Sequence, residues 1–409
     1  MNALKGTPLY FYTYFLFLIL LPFKAFLSLA IILIAFSVFL SQPIKVTKSN
    51  LLASKGLLLF TSTYIVYLLG LIYTENMSFG LREIEYKLSL LIMPIIIGAT
   101  PKFSKAITKR LLLAFVFSTI VSGLICIGYS LVETSFSYIQ TYNELSLFLS
   151  PNYLSLYIDF CLLILFNQLS EKQSKSEVFL KLLGIIFLLF FNLLLTSKTG
   201  ILIMIMILIY YAISYINKFS KKITIGIAII TLLLGTIGVK SNPRVMHRFS
   251  TATSALFTKK IDHDVSESSL VRILVWKEAI KIIQENPIFG VGTGDSKDSL
   301  LKRYEDNGII HALERKYNAH NQYLEWLITL GIIGFIILEG SILYLLITSL
   351  RTQNILLTLF VIVNSIAFLT ESILETQAGL LFFSFFSLFL LYHHSHKDSN
   401  KDKLSKISP

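Results

Sequence analysis

Residues 178–216 read VFLKLLGIIFLLFFNLLLTSKTGILIMIMILIYYAISYI, and Lys181 and Lys198 are the only charges in them. Two apolar runs, 178–196 and 200–216, flank the short turn Ser197-Lys198-Thr199. A helix of about 20 apolar residues, rising 1.5 Å per residue, crosses roughly 30 Å of hydrocarbon. The turn is too short for anything but an antiparallel return, so the stretch reads as two membrane helices joined at one face.

The same pattern recurs along the chain, near 9–21, 23–40, 53–73, 86–99, 110–131, 152–169, 222–240, 321–349, 353–370 and 376–392. With the first pair of runs this gives twelve candidate spans and an all-α polytopic membrane protein. Of the 409 residues 54% are hydrophobic and 15% charged, against about 25% charged in soluble proteins. Met1 to Leu21 resembles a signal peptide but lacks a small-x-small cleavage site, and a second apolar run follows at once, so it reads as an uncleaved first helix. Cys126 and Cys161 sit inside apolar runs and read as small buried residues.

The net charge of +12 does not indicate a nucleic-acid partner, because the basic residues fall in short loops where they encode orientation. With the N-terminus inside, 19 of the 36 Lys and Arg lie on the inner face. The short outer loops hold only Lys24, Arg82, Lys87 and Lys198, and the other 13 lie between Lys240 and Lys316. Long segments cross irrespective of charge, so these 13 do not count against the orientation. The organisation is then helices 1–9 over 1–240, a long outer loop over 241–320, helices 10–12 over 321–392 and an inner, disordered tail over 393–409, with both termini inside.

A structureless loop of that length is unusual in a compact protein, and part of this one has helical spacing. Between Ser268 and Gln284, Val271, Leu274, Val275, Ala279, Ile282 and Ile283 share a face. Ser268 or Ser269 can cap its start and Asn286-Pro287 stops it, and its polarity places it at the membrane surface.

Several polar residues are candidates for chemistry. Arg272 lies in the first turn of that helix, where a cation opposes the helix dipole unless an anion sits there too. A diphosphate fits that description, and pairing with a loop acid such as Glu267 is the structural alternative. His320 lies in Tyr317-Asn318-Ala319-His320-Asn321-Gln322, at the outer entry to the tenth span, and can hold or move a proton near neutral pH. Lys198 is the sole charge of a tight outer turn; a lysine there can also simply snorkel. Arg82 and Lys87 stand among Glu75, Glu83 and Glu85 and are expected to be ion-paired. Glu371 and Glu375 flank the last outer turn, where an acid can orient a basic group. Asp159 and Glu339 are intramembrane carboxylates, functional suspects by position unless hydrogen-bonded between helices. Gly290-Val291-Gly292-Thr293-Gly294 lacks the spacing and the preceding strand of a dinucleotide loop.

Arg272 with Trp276, Asn286-Pro287-Ile288-Phe289-Gly290-Val291-Gly292, His320-Asn321-Gln322-Tyr323-Leu324-Glu325 and Gly331-Ile332-Ile333-Gly334 follow one another in an order and spacing that resembles the core of the O-antigen ligase and polymerase superfamily. The resemblance implies a fold similar to the integral-membrane (GT-C-like) glycosyltransferases, in a bacterial inner membrane with the active site facing the periplasm. It implies transfer of a glycan from an undecaprenyl-diphosphate donor to a lipid A-core or other glycan acceptor, without metal or other cofactor. Polymerisation of lipid-linked repeat units is the alternative; protein O-glycosylation and non-enzymatic transport are further ones. By position, Arg272 and His320 take catalytic roles and Arg272 and Lys198 grip the diphosphate. Arg82, Glu371 and Asn321 are supporting candidates. Lys198 stands where many ligases have arginine; it keeps the charge but not the bidentate geometry.

Overall fold

The structure, a computed structural model, describes residues 8–24, 26–41, 54–133, 145–171, 173–215 and 268–393. Every regular element among them is helical. Four helices are long and apolar enough to cross a membrane: α6 (Lys105–Glu133), α7 (Pro151–Leu169), α8 (Lys175–Leu195) and α13 (Gln322–Arg351). Shorter apolar helices are α1 (Leu9–Leu20), α2 (Leu27–Ser41), α3 (Lys55–Gly70), α9 (Lys198–Tyr215), α14 (Ile355–Phe368) and α15 (Gln377–Tyr392). The remaining elements are α4 (Met77–Lys87), α5 (Ser89–Ala99), α10 (Ser268–Glu285), α11 (Ser296–Asp306) and α12 (Ile310–Glu314).

Ten of the twelve expected spans correspond to apolar helices among these residues. The run at 222–240, the first part of the outer loop and the tail from 394 lie outside the described residues. The run at 86–99 differs from expectation. It breaks at Leu88, and α5 has 11 residues, a rise of about 16 Å, roughly half the hydrocarbon thickness. The polar Arg82-Glu83-Glu85-Lys87 segment before it forms α4 rather than lengthening the apolar helix.

The centre of the bundle is aromatic. On α15, Leu380 to Leu390 is buried all round, as expected of a helix that is apolar on every face and enclosed by others. The rings of Phe382 and Tyr157 stack 4.4 Å apart, and Phe160 meets Phe386 at 4.6 Å and Phe360 at 4.7 Å. Packed aromatic pairs of this kind contribute about 0.5–1.5 kcal/mol each beyond burial. The outward faces keep large apolar side chains exposed, among them Ile32, Phe36, Phe117, Leu183 and Ile209, a surface suited to lipid rather than water.

One device joins the outer helices to the bundle. α13 is broken at Gly331, whose backbone has φ 60° and ψ −164°. The peptide groups freed by the break pair with the segment 287–292. Ile332 N–H donates to Pro287 O at 2.9 Å, Val291 N–H to Ile328 O at 2.8 Å and Gly292 N–H to Thr329 O at 3.0 Å. Irregular backbone at membrane depth is tolerated where protein satisfies it. The approach is so close that a Cβ on Gly331 would lie 2.3 Å from Ile288 O, and one on Gly290 would lie 2.5 Å from Ile328 O. Gly290 and Gly331 also have positive φ, so both positions require glycine. α10, α11 and α12 enclose a small core of their own. Val271, Val275, Ala279, Leu300 and Tyr304 pack there against Ala319 and Ile328.

Candidate functional site

The loop that leads into α13 is tightly held. Trp276 Nε1 donates to Ala319 O at 2.9 Å, and Ala319 N–H donates to Glu325 Oε2 at 2.9 Å. These bonds pin the two peptide groups that flank Ala319, just before His320. His320 itself is left-handed, with φ 45°, a conformation that costs a non-glycine residue roughly 1–2 kcal/mol. Its N–H donates to Asn318 Oδ1 at 3.1 Å, and the Tyr317 ring meets its imidazole edge-on at 4.7 Å. Asn321 then caps α13: its Oδ1 accepts from Tyr323 N–H and Leu324 N–H. Its Nδ2 donates to Leu369 O and its N–H to Ser372 Oγ, so it also ties the loop to the last outer turn.

That turn, between α14 and α15, carries Glu371, which is 8% exposed. Its carboxylate gathers three partners from three parts of the chain. Arg272 on α10 forms an ion pair through Nη2 with Oε1, and Asn152 Nδ2 at the start of α7 donates to the same oxygen. His320 Nδ1 lies 3.1 Å from Oε2. An ionised carboxylate only accepts, so in the neutral imidazole the tautomer this contact favours carries its proton on Nδ1 and its lone pair on Nε2. Among the described residues Nε2 has no hydrogen-bond partner.

Lys198 opens α9 beside this cluster. Its neighbour Ser197 donates to Asn152 Oδ1 at 2.9 Å, and Thr199 shares a 2.6 Å hydroxyl contact with Thr370. The turn can come so close because Gly200 faces Ser155, whose Oγ would be 1.6 Å from any Cβ there. Lys198 is half-buried. It thus stands on a turn bound on both sides to the Glu371 neighbourhood.

Arg82 is not brought into the cluster. It is exposed, its Nε donates to Ser78 O of its own helix at 3.3 Å, and its guanidinium lies 5.6 Å from the Phe79 ring. The expected ion pairing fails for Arg82 among the described residues because its side chain folds back along α4. It holds for Lys87. The Lys87 side chain is fully buried, 2.5 Å from Glu375 Oε2 and 3.7 Å from Glu83, and it donates to Leu374 O at 2.8 Å. Burial alone would lower the Lys87 pKa, but Glu375 and Glu83 outweigh it and hold it above the ordinary lysine value. Burial in turn raises the Glu83 carboxyl above its usual range, against the opposing pull of Lys87. Gln322 completes this second cluster, donating from Nε2 to Glu375 Oε1 at 2.8 Å and accepting from Leu374 N–H at 2.7 Å.

Of the intramembrane acids, one is bonded between helices and lines a cavity together with Asn152, Thr199 and Glu371. Asp159 accepts from Asn192 Nδ2 at 2.8 Å across α7 and α8, and Glu339 is half-buried on α13 away from these clusters. Sequence reading missed Asn152 and Gln322, because an amide at the end of an apolar run carries no signal of its partner. It also named an acid near Arg272 in sequence, whereas the observed partner lies 99 positions away.

Residues 183–338 match the family model described as O-Antigen ligase. In that segment the chain is similar to the O-antigen ligase family. The matched segment contains Lys198, Arg272, His320 and Asn321, whereas Glu371 and Asn152 lie outside it. The chain is also similar to an uncharacterized protein of Haemophilus influenzae, 26% identical over 384 residues, which cover 90% of this chain and 94% of the relative. Members of that family are glycosyltransferase-like ligases and polymerases, and the match, with four helices long and apolar enough to cross a membrane, supports an enzyme role for a membrane protein. The two glycine-bearing segments of the resemblance, 286–292 and 331–334, prove to be the two sides of the helix-break seam.

Proposed function

We propose that this protein transfers a glycan from undecaprenyl diphosphate to an acceptor hydroxyl at the periplasmic rim, with lipid A-core as the leading acceptor. The observation that carries the reading is the convergence of Arg272, His320 and Asn152 on the buried carboxylate of Glu371.

Each group then has a defined task. Glu371 holds Nδ1–H of His320, so Nε2 faces the acceptor as a base. The acceptor oxygen attacks the anomeric carbon and loses its proton to Nε2 as the new C–O bond forms. The bond from the anomeric carbon to the diphosphate oxygen breaks with its electron pair, and the lipid diphosphate departs as an anion. Arg272 spends part of its five-donor fork on Glu371 and keeps donors for that anion. Lys198 adds a second positive charge from the adjoining turn. Stabilising charge that develops on a leaving group is commonly the largest contribution an enzyme makes. Glu371 also prevents Arg272 and His320 from being an uncompensated pair of buried donors when the donor substrate is absent. A single displacement inverts the anomeric centre, and a product that retained the donor's configuration would contradict this scheme.

Glycan analysis of a deletion strain tests the assignment. Loss of long chains from lipid A, with long lipid-linked chains accumulating, is expected for the ligase. Accumulation of single lipid-linked repeat units would instead mark polymerisation, and unchanged glycans would remove the function.

A further inference from the structure

His320 stands between two environments. One ring nitrogen meets Glu371, while the same side chain lines a separate open cavity of about 270 Å³. Neither Glu371 nor Arg272 belongs to that cavity. Its walls come from α4, the start of α11 and the 316–320 loop, and His320 joins it to the Glu371 cluster. The floor is acidic. Glu375 is engaged with Lys87 and Gln322, and Glu325, 4% exposed, receives Ala319 N–H. The rings of Phe79 and Tyr317 form apolar walls. Glu83 adds a third acid, and two further lysines, Lys297 and Lys316, line it as well; among the described residues neither lysine forms an ion pair with a carboxylate. Lys297 Nζ lies 5.8 Å from the Phe79 ring, and Lys316 is exposed on a left-handed backbone at the mouth.

The volume is just below the roughly 300–1,000 Å³ typical of small-molecule sites, which suits one sugar ring rather than an oligosaccharide. Carboxylates below can accept from hydroxyls, and rings at the side can cover the apolar C–H face of a sugar. Basic side chains at the mouth favour a substituent of negative charge. We propose that this cavity is the acceptor subsite, taking a single sugar ring that carries an anionic group, phosphate or carboxylate, near Lys297 and Lys316 and presents its reacting hydroxyl to His320. The inference rests on the glycan-transfer reading for the reaction, but its binding claim is testable without it.

The test uses the full chain in nanodiscs of uncharged lipid, with saturation-transfer NMR on glucose, glucose 6-phosphate, glucuronate and inorganic phosphate. Glucose 6-phosphate or glucuronate, or both, should bind about tenfold more tightly than glucose, the gain a charge-assisted contact gives. Which of the two leads distinguishes phosphate from carboxylate as the natural group. The preference should vanish in the Lys297→Gln/Lys316→Gln double variant, whose changes are on the surface and spare the packed core. In a transfer assay the same variant should raise the KM for an anionic acceptor about tenfold and leave the donor KM unchanged. Equal binding of sugars with and without charge would overturn the proposal, as would inorganic phosphate competing as well as the sugar phosphate. A rise in donor KM instead would assign the lysines to the diphosphate. Selective binding without transfer from any lipid-diphosphate donor would leave the subsite standing and remove the glycan-transfer reading. Transfer without selectivity would do the reverse.

Discussion

Glu371 and Glu375 stand four positions apart on the turn between α14 and α15, and each gathers cations and amides from distant helices, yet they do different things. Glu375 meets Lys87, whose side chain is 0% exposed. Every donor of that cluster is spent on protein, through Glu375, Glu83 and Leu374 O. Glu371 meets Arg272 and His320, which are 20% and 23% exposed and keep free donors and a free ring nitrogen. The cluster sealed around Lys87 holds the turn in place and offers only acceptor oxygens of Glu83 and Glu375 to the neighbouring cavity; the half-open one keeps free donors and a ring nitrogen for a substrate. Buried charge by itself therefore does not mark the reactive site. Unspent hydrogen-bonding capacity at an accessible edge does.

The comparison breaks most visibly if the two clusters respond alike to substitution. His320→Ala should lower the transfer rate by about 10²–10⁴, the usual contribution of a positioned base, with thermal stability in detergent little changed. Arg272→Ala should cost about 10²–10³, as loss of one charge-stabilising donor does elsewhere. Lys87→Met should act on stability instead. Removing one partner of a buried pair costs about 3–5 kcal/mol, so melting temperature and yield should fall while the rate per folded molecule stays close to wild type. If folded Lys87→Met protein lost transfer as completely as His320→Ala, the sealed cluster would belong to the reaction. The sign of its pH dependence is also set. The Lys87 pKa is raised, so its stabilisation is fully present below the ordinary lysine value of 10.5 and is lost only as pH rises through the higher folded value. Loss of activity anywhere between about pH 6 and 9 must come from another group.

Much of this fold was legible because membrane spans are read from composition over long windows. The run at 178–216 gave α8, the Ser197-Lys198-Thr199 turn and α9. The run at 86–99 misled because its apolar part, Ser89–Ala99, is short and the polar residues before it form a separate helix. The site was legible in its basic members, since Arg272 and His320 are conspicuous on an outer segment. Their meeting point was less so. Glu371 could be named as an acid that might orient a base, but nothing in its neighbours says that α10, α7 and the 317–321 loop all deliver donors to it. Asn152 had no signal at all, because its role depends on Ser197 and Glu371 arriving from other helices. Gly290 stands in a segment without the spacing of a dinucleotide loop and Gly331 inside an expected span, and only the packed backbone shows that each excludes a Cβ for the sake of the other.

Smaller effects sharpen the same distinction. Gly331→Ala should destabilise by about 1–3 kcal/mol through left-handed strain and the clash with Ile288 O, read as a lower melting temperature. Between α6 and α7, Glu171 bridges Lys105 at 2.7 Å and Lys109 at 3.1 Å. Their hydrogen bonds and charges hold its carboxyl below the usual value. Its stabilisation is therefore present above the ordinary carboxylate pKa and lost as pH falls through the lowered one. The pair is largely solvated, so Glu171→Gln should cost only about 0.2–1 kcal/mol, with no effect on transfer.

The most direct measurement is the rate of glycan transfer from undecaprenyl diphosphate by purified Glu371→Gln protein in lipid, beside wild type at equal folded concentration. Glutamine keeps the shape of the side chain but removes the charge shared by Arg272 and His320. The expected result is a fall in rate per folded molecule of up to about 10⁴, of the size seen when a carboxylate that orients a catalytic histidine is neutralised, together with a lower melting temperature because Arg272 loses its buried counter-charge. Wild-type transfer by that variant would mean that the meeting of Arg272 and His320 on this carboxylate has no part in the reaction.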